Sequence, residues 1–127
     1  MRNGRTRQSR RVVERWNEVF RGVSAEPRRQ LIVALMDAGP GATVALPESA
    51  MNPGISIDPD VLEIGLRHQH LPALADKEFI EWEDDPLRAT RGPRFDEIAA
   101  VFEALHAAAG AVPDSLVQGC RRLEAER

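Results

Sequence analysis

A single cysteine, Cys120, stands in the 127 residues of this chain. No disulfide framework and no cysteine-based zinc site can be built within one such chain. That scarcity suits a reducing compartment, and a cytoplasmic location is the expectation. Lysine occurs once, at Lys77, against sixteen arginines; codon bias produces the same imbalance, so no function follows from it. No apolar run approaches the ~20 residues that cross a bilayer. The Arg-rich stretch 1–11 has no hydrophobic segment behind it of the kind a secretory signal needs. Catalytic signatures are missing too. Ser9, Ser24, Ser49, Ser56 and Ser115 lie in no nucleophile motif, and there is no Gly-rich phosphate loop. Asp58/Asp60 and Asp84/Asp85 read as capping and turn acids before they read as an acid–base pair. Cys120, beside Arg121 and Arg122, reads as a tail cysteine rather than a redox switch. An enzyme is therefore not expected.

What is present is a chain long enough for one domain, with 43% apolar residues and a net charge of −3. The charge is unevenly spread. Residues 1–30 carry nine arginines against three glutamates, whereas residues 31–127 carry eight basic and seventeen acidic groups. A basic arm on an acidic body is the global pattern, and such an arm can follow a phosphate backbone.

Residues 1–8 lack apolar anchors and read as a disordered basic arm. Ser9 can cap a helix to about Val23, with Val12, Val13, Trp16, Val19, Phe20 and Val23 recurring at spacings of three and four. Ser24 is placed to cap a second helix carrying Leu31, Ile32, Leu35 and Met36, which Gly39-Pro40-Gly41 stops. Thr43 to Leu46 reads as a short strand, and Pro47 to Met51 as a helical turn or two. Asp58-Pro59 starts a further helix, which Pro72 must kink or divide near His70-Leu71. Its apolar residues fall on two stripes, which predicts packing on more than one side. Phe79 to Glu83 and Leu87 to Arg91 alternate as a hairpin around Asp84-Asp85-Pro86. Phe95, Ile98, Ala99, Phe102 and Leu105 mark a long amphipathic helix to about Ala109, and residues 111–127 form a tail with room for a short helix.

The order helix, helix, short piece, helix, hairpin, helix matches a winged helix-turn-helix domain. The run Leu66-Arg67-His68-Gln69-His70-Leu71-Pro72-Ala73-Leu74-Ala75-Asp76-Lys77-Glu78-Phe79-Ile80-Glu81-Trp82 resembles the "HHLxxLxxxGLVxxx" segment of ArsR-like regulators, where a recognition helix leads into the wing. It is more similar still to winged-helix proteins of halophilic archaea, which carry "HxHLPxLADxGxVEW" and then "RGPRFDE", here Arg91 to Glu97. The resemblance covers roughly residues 25–105. It implies a mostly α winged helix-turn-helix with a two-stranded β-wing, residues 9–110 with their flanking helices, and a role in transcription regulation. Three departures stand out. Glu78 replaces the usual Gly at the turn into the wing, the first helix of the motif shrinks to the Pro-bounded 46–51 piece, and no cysteine pair supports metal sensing.

On this reading the partner is double-stranded DNA, engaged by a homodimer without a cofactor or metal. At 100° per residue Val61, Ile64, His68, Leu71 and Ala75 share a core-facing side, whereas Glu63, Arg67 and His70 share an exposed one. The helix 59–70 would enter the major groove. Arg67 can then donate two bonds to guanine and Gln69 can pair with adenine, with His70 beside them. Arg88 and Arg91, with Arg5, Arg7, Arg10 and Arg11 of the arm, would hold the phosphates. The acidic wing tip Glu83-Asp84-Asp85 opposes that arrangement and favours the alternative, a protein–protein interaction module on a winged-helix scaffold.

Overall fold

A computed structural model describes residues 2–127, with side chains from Gly4 onward. It is mostly helical around one small antiparallel sheet. Helix α1 spans Arg2–Gly22 and α2 spans Glu26–Ala38. Strand β1 (Thr43–Ala45) and a 3-10 turn at Glu48–Ala50 lead to α3 (Pro59–Gly65). A π-type turn, Leu66–His70, carries α3 into α4 (Leu71–Asp76). Strands β2 (Ile80–Asp84) and β3 (Leu87–Arg91) follow, then α5 (Phe95–Ala107). A 3-10 turn at Ala109–Ala111 and two short helices, α6 (Asp114–Val117) and α7 (Arg121–Glu126), complete the chain.

The sheet has three strands, not the two of a bare wing. β3 lies in the middle, paired with β2 on one side and β1 on the other, with Ala89 opposite both Trp82 and Val44. Alternation along β3 turns Leu87 and Ala89 inward, onto the same core as α2, α4 and α5. Leu31, Ile32, Leu35, Leu66, Leu71, Leu74, Phe79, Ile80 and Ile98 are its fully buried centre.

Residues 2–8 are helical rather than a disordered arm. From Arg2 they continue α1 without a break, and Met1 lies outside the described residues. No proline interrupts residues 2–22, so a helix nucleated farther along propagates toward the N-terminus at little cost per residue. Ser9 is thus mid-helix. Ser24 does not cap α2 either: its Oγ donates to the Arg21 carbonyl, and Ala25 occupies the N-cap position. Gly39 ends α2 at φ 85°, as its sequence position predicts.

The turn into the β2–β3 hairpin is made at Glu78, which sits at φ 64°. The left-handed conformation is thus kept, with a non-glycine residue bearing its steric cost. Gly92 has to be glycine. A Cβ there would lie 2.4 Å from the Glu78 carbonyl oxygen, which accepts from the Arg94 amide, while the Gly92 amide donates to Phe79. Relief at residue 78 should therefore stabilise the fold. Glu78→Gly is expected to raise stability by about 0.5–1 kcal/mol, the left-handed penalty less the extra chain entropy of glycine. A urea midpoint that stays put or falls would contradict this.

Candidate functional site

Asp58 caps α3, its Oδ1 accepting from the Asp60 amide at 2.9 Å, with Pro59 at the first helical position. Pro72 has no N–H, and its ring would crowd the carbonyl four residues back. The chain accommodates it by widening the preceding turn, so that the Leu71 amide reaches the Leu66 carbonyl, five residues away. Regular α geometry is thus interrupted over residues 66–70 and resumes at Leu71, where the proline was expected to kink or divide the helix, but the segment does not pack on two sides. One side is buried, built from Leu62, Leu66, His70, Leu71 and Leu74.

That extra residue overturns several side-chain assignments made from simple periodicity, although Leu71 and Ala75 lie in or against the core as expected. Val61 and Ile64, expected in the core, are each 60% exposed. His68, expected at the core edge, is exposed, and His70, expected at the groove, is 8% exposed. His70 is thus removed from any DNA-reading set. Its Nδ1 accepts a hydrogen bond of 3.0 Å from Arg28 Nε, so the ring proton of the neutral imidazole is on Nε2.

The arginines also find local partners. Arg67 ion-pairs with Asp84 at the end of β2 and lies 3.6 Å from Glu63. Arg88 bonds Glu83, its cross-strand neighbour, at 2.7 Å. Arg91 leaves the surface set entirely. It donates to the carbonyls of Leu35 (3.1 Å) and Met36 (3.3 Å), satisfying the free C-terminal end of α2, and its guanidinium stacks 4.7 Å over the Phe95 ring. Of the expected contact residues, Gln69, Arg5, Arg7, Arg10 and Arg11 remain exposed, the last four along α1. The structure does not bring these five onto one cationic face with Arg67 and the exposed Arg88, because carboxylates lie against those two.

Two features escaped periodicity. One is the outer side of α3, where Ile64 faces outward with Asp60 and Val61 beside it. Ile55 and Ile57, also exposed, line an open groove with Met51 and Pro53 just ahead of α3 in the chain. Asp58, Asp60 and Glu63 lie along α3 beside this apolar surface, and Asp84 at the end of β2 reaches Arg67 at its far end. A sequence signal for it did exist: the buried leucines step by four (62 to 66), five (66 to 71) and three (71 to 74), and the five marks the wide turn. The other feature is Arg94, held by Glu97, Glu18 and the Lys77 carbonyl and stacked 5.2 Å from Phe79, which ties α1, α4 and α5 together.

Among the described residues no group of three or more His, Cys, Asp or Glu side chains is disposed to hold a metal ion, and no helix is long and apolar enough to cross a membrane. Comparison with protein-family models, with curated proteins and with solved structures finds no match.

Burial, and then the nearby Arg28 charge, hold the His70 imidazole below its ordinary value of 6.5. His106 is lowered as well, by burial and Arg122, partly offset by Glu126 and Asp37. Both rings are proton-poor in the folded state. Their contribution to stability is complete above pH 6.5, declines as the unfolded chain protonates below it, and stops declining under the folded value. His70→Gln keeps an acceptor for Arg28 but cannot titrate. It should flatten the acid-side loss in a series of denaturant melts between pH 7 and 5, leaving only the His106 part; an unchanged slope would contradict the assignment.

Proposed function

We propose that this chain is a non-enzymatic winged-helix protein whose outward α3 surface binds protein, as an interaction module. The winged-helix reading is supported by the element order and by the strand order β1-β3-β2, with the hairpin following the α3–α4 helix. One observation carries the functional reading. The part of α3 that would meet base edges presents Ile64, Val61 and Asp60, and its nearest guanidinium, Arg67, is occupied by Asp84 and Glu63. Exposed branched aliphatic residues framed by carboxylates repel phosphate and suit a partner segment that is apolar and basic.

The second reading is double-stranded DNA binding by a transcription regulator. It is favoured by one specific feature, the exposed guanidinium groups of Arg5, Arg7, Arg10 and Arg11 along α1. Contacts of that kind hold phosphates and carry no sequence information.

Two titrations separate the readings. A labelled duplex followed by anisotropy should bind only weakly at physiological salt, in the non-specific range of about 10⁻⁴–10⁻⁶ M. A labelled basic amphipathic helical peptide should bind saturably and lose that binding with the pair Val61→Asp and Ile64→Asp. Nanomolar, sequence-selective duplex binding that is lost with Gln69→Ala or Arg67→Ala would overturn the interaction reading in favour of DNA.

A further inference from the structure

Helix α1 is about 30 Å long at 1.5 Å per residue, yet every residue from Gly4 to Asn17 is exposed. Only its last turns meet the body, where Val19 is buried, Gly22 lies against Ile98 and Phe79, and Arg15 pairs with Glu97. A helix of this length without tertiary support is marginal in water. Its exposed side is not polar. Val12, Trp16 and Phe20 follow one another at four-residue spacing with Val13 alongside; Trp16 and Phe20 are 51% and 57% exposed, and their rings stack at 5.5 Å. Arg5 extends this stripe toward the N-terminus and Arg10 borders it.

We infer that the occupant of the α3 surface is α1 of a second copy of this chain. The inference rests on the interaction reading above and names its partner. Two unpartnered apolar surfaces exist on the same molecule, and their charged borders are opposite in sign. The α1 stripe is bordered by Arg5 and Arg10, and the α3 surface of Ile57, Val61 and Ile64 carries the exposed Asp58 and Asp60 beside it. Complementary borders favour α1 against the partner's α3. The same arginines disfavour a parallel pairing of α1 with a second α1, where like charges would meet. Reciprocal contacts about a twofold axis give each copy both halves of the interaction and close the assembly as a dimer.

The test is the mass of the full-length chain by size-exclusion chromatography with light scattering. The wild type should run as a dimer. Val61→Asp with Ile64→Asp on α3, and Trp16→Glu with Phe20→Glu on α1, should each give monomers. These four side chains are exposed, and a retained helical spectrum with a cooperative melt confirms that the variants are folded, at a midpoint lowered only by the lost association. Mixing the two variants should restore association, because an intact α1 from one meets an intact α3 from the other. Arg5→Glu with Arg10→Glu should weaken the dimer about tenfold or more through its borders. A dimeric α3 variant would overturn the inference and assign the interface to α1 pairing. A monomeric wild type, or a mixture that stays monomeric, would overturn it too. Peptide binding at α3 alongside a monomeric wild type would refute this partner and leave the interaction reading standing; loss of both refutes both.

Discussion

A wide turn at Leu66–His70 governs which side chains of this protein meet water. Pro72 cannot donate a backbone hydrogen bond, and the helix absorbs that defect one turn earlier rather than breaking. The inserted residue keeps Leu62 and Leu66 in line with Leu71 and Leu74, so a single side of the helix enters the core. It also turns His70 inward to Arg28 and leaves Ile64 outward. The electrostatics follow from the same rotation. Arg67 comes to lie by the end of β2, where Asp84 neutralises it, and the outer side of α3 is left apolar and acidic.

The framework was largely legible in the sequence because its signals are local. Asp58-Pro59 starts a helix by side-chain capping and a preset φ, Gly39 stops α2, and the alternation of residues 79–91 around Asp-Asp-Pro makes a hairpin. Each depends on a few adjacent residues. What was not legible depends on cumulative register or on distant partners. Periodicity of 3.6 residues assumes an unbroken α-helix, and one widened turn shifts every later residue by about 100°. Arg91 looked like a surface cation until the open end of α2 supplied two carbonyls from 56 and 55 residues away. The helicity of residues 2–8 was hidden for a different reason, since low hydrophobicity argues against a core contact but does not stop a helix already nucleated.

The arginines illustrate how much local pairing changes a charge-based reading. Counted along the chain, the N-terminal thirty residues form a strongly basic block on an acidic body. In three dimensions Arg15 is taken up by Glu97, Arg28 by His70 and the Arg21 carbonyl, and Arg29 by the Val23 carbonyl. Only the Arg15–Glu97 contact is an ion pair, and exposed pairs of that kind add little to stability; Arg28 and Arg29 keep their charge but commit N–H groups to neutral acceptors. Arg67 and Arg88 are ion-paired, as Arg15 is, at the β2–β3 hairpin. The cationic character left over belongs to α1, on the element that also carries the exposed Trp16 and Phe20.

Whether the outward side of α3 serves protein or DNA can be read directly from amide chemical shifts of the isotope-labelled chain titrated with duplex DNA. The account predicts that amides 60–69 remain in place, with any perturbation confined to the arginine-bearing half of α1. Large shifts concentrated at residues 64–69 would show that this helix does enter a groove, and would contradict the assignment of α3 as a protein-binding surface.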